Sequence, residues 1–196
     1  MKFIVVDGID GSGKDTQAKF IYEKYMDDFN NFQRDKVVTL RSHPELDNNF
    51  GKISHNALLK KGKLNKLIAG IFYVLDVIRS LIIYYPKSDI LIFSRYLLGI
   101  IYLPKPLVKI VYAILSFILP TSEYMFFLDV HPKEAMKRIL KRNSNESMDL
   151  QAFENEKSLE ECRKKAFLIT KNWKKVNGCE NRDNVWEKIE NILDTV

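Results

Sequence analysis

The chain has 196 residues, 46% hydrophobic and 29% charged, with a formal net charge of +6. That length suits one domain with a core that needs no disulfide or metal, and the composition excludes disordered, collagen-like and low-complexity chains. The positive sign suits an anionic ligand, yet no basic helix, RNP-like strand or zinc-finger spacing points to nucleic acid.

The opening MKFIVVD is too short an apolar run for a signal peptide. Its residues 3–7 read instead as a strand buried on both faces. A glycine-bearing turn follows, then a helix from residue 16 to about 28, spaced by Ala18, Ile21, Tyr22 and Tyr25. Residues 37–40 read as a second strand, 51–61 and 65–84 as helices, 90–93 as a third strand and 124–128 as a fourth. Pro132 sits well at the first position of the next helix, which runs to about residue 142. Residues 143–152, NSNESMDLQA, read as an irregular, mobile loop, and 154–176 and 184–195 as helices, with a weak fifth strand near 178–181. Strands alternating with helices predict an α/β fold with a mostly parallel sheet.

Two stretches are strongly apolar. Residues 67–85 contain Asp76 and Arg79, and 107–119 (LVKIVYAILSFIL) contain Lys109 and fall short of the roughly 20 residues of a membrane span. Both read as buried or interface helices. Cys162 and Cys179 form neither a CxxC pair nor a zinc spacing, which fits a reducing cytosol.

The strongest signal is Gly8-Ile9-Asp10-Gly11-Ser12-Gly13-Lys14-Asp15-Thr16, which leaves a strand and opens a helix. That is the context of a phosphate-binding loop. Glycines let backbone N–H groups turn toward phosphate oxygens, the lysine reaches the β- and γ-phosphates, and the helix N-terminus adds its positive end. One position departs from the pattern. The residue after the lysine is ordinarily Ser or Thr, a magnesium ligand; here it is Asp15, and Thr16 follows.

With those residues the chain resembles the thymidylate kinase family. FIVVDGIDGSGKDTQAKFI (3–21), with Gln17, resembles that family's first strand, loop and helix; FFLDVHPKEAMKRILKR (126–142) its fourth strand and the helix to its lid; and NRDNV (181–185) the opening of its last helix. The resemblance implies a P-loop NTPase fold over 1–196, with about five strands, helices on both faces and a short lid near 143–155. It implies a cytoplasmic enzyme that transfers phosphoryl from ATP, with Mg²⁺, to a nucleoside monophosphate, foremost dTMP. It implies no nucleic acid or membrane partner, and a homodimer through apolar helices.

Site residues follow position by position. Gly8, Gly11, Ser12, Gly13, Lys14, Asp15 and Thr16 would hold ATP, joined by Arg138 and Arg142 from the lid side. Asp10 would meet the 3′-hydroxyl of the deoxyribose, Tyr73 would stack on the base, and Arg41, Arg79, Arg95 and Tyr96 would contact the acceptor. Lys14 and Arg95 would be catalytic, and Asp15 with Ser94 would hold the metal. There are departures. Ser94 replaces the family's Asp before the arginine–aromatic pair, Gly99 and Pro104 replace its Ser and Gln, and 143–155 contain no arginine. A different nucleotide or nucleoside acceptor, or a nucleotide-binding protein without catalysis, therefore stay open beside the dTMP reading.

Overall fold

The computed structural model describes residues 1–31, 36–60, 62–146 and 155–195. In chain order the elements are β1 (Lys2–Gly8), α1 (Lys14–Asn31), β2 (Val38–Ser42), α2 (Asn49–Leu58), α3 (Lys63–Tyr84) and β3 (Ile90–Ser94). A 3-10 turn (Leu97–Tyr102) leads to α4 (Lys105–Ile118), β4 (Tyr124–Asp129), α5 (Pro132–Glu146), α6 (Glu156–Ile169), β5 (Lys174–Asn177) and α7 (Arg182–Thr195).

The strands form one parallel sheet in the order β2-β3-β1-β4-β5. The alternation along β1 builds two cores. Phe3 and Val5 face α3, α4, α5 and α6, whereas Ile4 and Val6 face α1 and α7 through Ala18, Ile21, Val185 and Ile189. Burial of each such branched side chain contributes about 1.5–3 kcal/mol. Because β1 is central and both its neighbours are parallel, its carboxyl end opens into the crevice where open α/β sheets bind ligands. In register there, Val6 and Ser42 both align with Ser94, and Gly8 aligns with Leu128. This is the P-loop NTPase arrangement that the sequence leads one to expect.

The structure differs from the sequence expectation at several points. The helix expected over 154–176 stops at Ile169, and the fifth strand lies at Lys174–Asn177 rather than 178–181. Thr170 turns its hydroxyl back to the Ala166 carbonyl, and the indole of Trp173 donates to the Tyr112 hydroxyl at 3.0 Å, which fixes the turn between them. β5 reads KKVN with only Val176 buried, so an edge strand with one inward side chain leaves no apolar run to see. α5 continues to Glu146 through part of the expected lid, and residues 147–154 lie outside the described residues. α2 begins at Asn49 because the Asn48 side chain accepts from the Gly51 N–H and caps it.

The apolar helices also sort apart. α3 is long and apolar enough to span a membrane by length and composition, but Tyr73, Val77 and Leu81 pack into the core. Its buried Asp76 accepts from the Glu45 N–H and from the Asn48 side chain. α4 is not a buried helix: among its residues only Val108 is buried, and Phe117 is 91% exposed.

Candidate active site

The loop between β1 and α1 has the geometry its glycines predict. Gly11 and Gly13 take φ of 76° and 87°, a region that side chains disfavour. A Cβ on Gly11 would also lie 2.4 Å from the Ala135 carbonyl oxygen, so α5 closes directly over the loop. Ser12 N–H donates to the Ile9 carbonyl at 3.1 Å, and Gln17 N–H to that of Gly13 at 3.0 Å. Lys14 opens α1 and is buried. Its Nζ donates to the Ile9 carbonyl at 3.1 Å and pairs with Asp10 at 3.4 Å. The Gln17 side chain donates to the Arg182 carbonyl and ties α1 to α7.

At the end of β1, Asp7 is buried and accepts three backbone N–H groups, from Gly8, Tyr96 and Leu98. Burial raises its pKa, and those donors with the Lys14 ammonium pull against it. One carboxylate therefore joins the phosphate-binding loop to the turn that follows β3. That turn starts at Arg95, whose φ of 65° is left-handed and costs about 1–2 kcal/mol for a residue with a side chain.

The arginine's position brings three predicted residues together. Ser94 donates its hydroxyl to Asp15 Oδ1 at 2.5 Å, and Arg95 donates to the same oxygen at 2.9 Å. Burial raises the Asp15 pKa, but the charges of Arg95 and Lys14 and the Ser94 hydroxyl outweigh it and hold the carboxyl below its ordinary value. Asp10 is depressed likewise: burial opposes, and Lys14, Arg95 and Tyr102 prevail. Both are carboxylates at neutral pH. Asp15 and Ser94 thus offer an all-oxygen donor set of the hard kind that suits Mg²⁺, which takes one or two protein contacts and completes its shell with phosphates and waters.

Beside the loop lies a cavity of about 270 Å³, lined among others by Asp10, Lys14, Tyr73, Arg95, Gly99 and Arg142. Tyr102, from the 3-10 turn, donates its hydroxyl to Asp10 Oδ2 at 2.7 Å. The Tyr73 hydroxyl donates to the Tyr96 carbonyl at 3.0 Å. A Cβ at residue 99 would fall 2.2 Å from the Tyr73 ring, so only glycine permits this ring position.

Other predicted residues lie elsewhere. Tyr96 turns into the core against Phe3 and Phe93, 1% exposed, with its hydroxyl on the Pro120 carbonyl. It does not line the cavity, because the left-handed Arg95 swings the next side chain under the sheet. Arg41 is outside the lining too; it pairs with Glu45 and Asp47 and lies over the Tyr84 ring. Arg79 faces Asp47 at 3.8 Å. Arg138 donates to Glu134 and to the carbonyls of Gly178 and Glu180, so it braces the loop after β5. A Cβ on Gly178 would lie 3.4 Å from the Ser12 carbonyl oxygen, and that bracing reaches the phosphate-binding loop at second hand. Thr16 is exposed on α1. Sequence reasoning missed Tyr102 and Lys66, which line the cavity; His43, which in the sequence follows a strand near the site and reads as a local hydrogen-bonding residue, lines it too. A tyrosine eight residues beyond Ser94 carried no signal of its own, because the turn that aims it was not predicted.

A phosphate-binding loop at the centre of a parallel sheet, with an open cavity of about 270 Å³ beside its lysine, is the architecture of a P-loop kinase of small molecules. The sequence model of thymidylate kinase matches residues 6–189, and the chain belongs to the thymidylate kinase family, the nucleoside monophosphate kinases of this fold. Among solved structures it is similar to the thymidylate kinase of Candida albicans, at 18% identity and a TM-score of 0.76, over 99% of this chain and 91% of that one. Comparison with curated proteins by sequence gave no match.

One expectation follows from the cavity wall. If this cavity takes the acceptor, Tyr73→Ala should raise KM for the acceptor at least about tenfold while KM for ATP moves little, because its ring forms part of the cavity wall. Tyr73→Phe, which loses only the bond to the Tyr96 carbonyl, should fall between. Equal effects on both substrates in steady-state kinetics would return Tyr73 to the core.

Proposed function

We propose that the protein transfers the γ-phosphoryl group of ATP to dTMP. The observation that carries this reading is the Asp10–Tyr102 pair, set between Lys14 and the Tyr73 wall of one cavity. A carboxylate inside a phosphate-binding loop repels a polyphosphate unless it has other work. Asp10, held ionised and aimed with Tyr102 into the acceptor side, is suited to accept a hydrogen bond from a sugar hydroxyl.

Phosphoryl transfer needs positioning and charge neutralisation rather than covalent chemistry. The loop amides from Gly11 to Lys14 hold the donor phosphates, and Lys14 follows the moving group. Arg95 offsets charge on the acceptor side of that group. Its pKa is raised; burial alone would lower it, but Asp15 and Asp10 prevail, so it stays a guanidinium. Asp15 and Ser94 are the residues that would hold Mg²⁺, which when bound neutralises the donor oxygens. A phosphate monoester is already anionic at neutral pH, so no strong general base is required. Arg142 lines the cavity and is suited to meet phosphate from the α5 side.

A coupled assay of ADP release, with ATP against a panel of nucleoside monophosphates, tests the reading. The highest kcat/KM is expected for dTMP. A second reading has its own observation: Gly99 lets the Tyr73 ring sit where a larger residue would push it away, and this favours a different acceptor base. A preference for another monophosphate in the same panel would select it.

The chain's surface suits a homodimer, and its family suits a cytoplasmic enzyme. Leu64, Leu67, Ile71 and Leu75 form an exposed stripe at helical spacing along α3. Sedimentation velocity should show a dimer, and Leu67→Glu with Ile71→Glu should give a monomer. Co-flotation of the native protein with liposomes would instead assign the stripe to a membrane.

A further inference from the structure

Arg95 keeps a left-handed backbone that its own side chain does not favour. Its neighbours hold the turn. Asp7 accepts from the Tyr96 and Leu98 N–H groups, Tyr73 donates to the Tyr96 carbonyl, and among the described residues one side chain grips Arg95's own carbonyl. That side chain is His43, from the loop after β2, with Nδ1 at 3.1 Å from the oxygen. The His43 backbone N–H also donates to the Ser94 carbonyl at 3.1 Å.

A carbonyl only accepts, so Nδ1 carries the proton and the ring is the neutral Nδ1–H tautomer. A second proton on the buried Nε2 would find no acceptor and leave an unpaired charge, so the ring is neutral. In this tautomer Nε2 is an acceptor, and it is buried without a hydrogen-bond partner. A phenylalanine would cover the same neighbours, Phe93 at 4.7 Å and Tyr73 at 6.4 Å between ring centroids, and would spare the Nε2 orphan, but it would take the donor from the Arg95 carbonyl. Packing therefore does not account for a histidine here. The bond to Arg95 does.

We infer that His43 is a positioning residue: its Nδ1–H, donated to the Arg95 carbonyl, holds Arg95 in the left-handed conformation from which the guanidinium reaches Asp15 at the head of α1. The inference rests on the role proposed above for Arg95 in phosphoryl transfer. His43 touches no reacting atom. It acts through the backbone of the residue that does.

Two variants separate the bond from the ring. His43→Phe keeps the packing and loses the donor; the lost bond and the removed Nε2 orphan offset each other, so its melting temperature should stay close to that of the parent, while kcat falls about tenfold or more and KM for either substrate changes less than about threefold. His43→Asn carries an N–H near the same place and should recover most of the lost kcat. Two readouts need no turnover. Imidazole ¹⁵N shifts of the parent should show a protonated Nδ1, and a crystal structure of His43→Phe should show Arg95 leaving φ near 65°. Parental kcat in His43→Phe, a His43→Asn variant as slow as His43→Phe, or a proton on Nε2 would each overturn the inference. If the parent phosphorylates no nucleoside monophosphate, the functional reading fails by itself, and the tautomer and the Arg95 conformation still decide the placement.

Discussion

Lys14→Ala is expected to lower turnover by roughly a hundred- to a thousandfold, the range for removing one preorganised charge from a developing anion. The side chain leaves the helix start and its ammonium ends on the Ile9 carbonyl and Asp10, inside the loop itself. Its loss leaves Asp10 with the Tyr102 hydroxyl, so the carboxylate is not stranded. The variant should fold, and circular dichroism should match the parent. Single-turnover measurement at saturating ATP places the loss on the chemical step. A purified variant with the parental rate would remove Lys14, and with it the phosphate-binding role of the loop, from the mechanism.

The second large effect concerns Asp15 and Ser94. A kinase of this fold ordinarily places a hydroxyl on the loop and a carboxylate at the strand end. Here the carboxylate is on the loop and the hydroxyl on the strand, and the structure puts them in direct contact. Asp15→Ser removes the carboxylate and leaves Arg95 without its partner at 2.9 Å. A drop of about tenfold to a hundredfold in kcat is expected, together with a higher Mg²⁺ requirement. Ser94→Asp alone crowds two carboxylates together, which raises one pKa and also lowers activity. The double variant restores the ordinary arrangement and should recover most of the loss, a coupling of about 1–3 kcal/mol in the cycle. If it performs no better than Asp15→Ser, the two positions have not exchanged roles and Asp15 acts through Arg95 alone.

The parts legible in the sequence were those whose cause is local. β1 and its loop could be read because a buried strand writes a continuous apolar run and a tight phosphate-binding turn demands glycine at fixed places. The Asp15–Ser94 contact was legible because loop and strand end are held by one sheet register. What escaped depends on long-range geometry. β5 is an edge strand with one buried side chain, so it leaves almost no pattern. Tyr96 looked like a ligand beside Arg95, but the φ of its neighbour turns it into the core, and no composition rule shows that. Arg41, Arg79 and Arg138 looked like phosphate contacts because arginine is ambiguous. Only their acidic and carbonyl partners reveal where each is held.

The central place of β1 has a consequence for how the chain is made. Phe3 pairs beside Leu91, and Val5 beside Met125, so the strand that carries the phosphate-binding loop gains its first neighbour only when β3 is made and its second only with β4. At roughly 5–20 residues per second of synthesis, the first strand waits several seconds to more than twenty before its two sides are covered. Through that interval an apolar segment sits in the already emerged part of the nascent chain with no completed sheet to join. Sequestration of the first strand, by a chaperone or by α1 folding back on it, is thus a requirement of the strand order and not of any one residue.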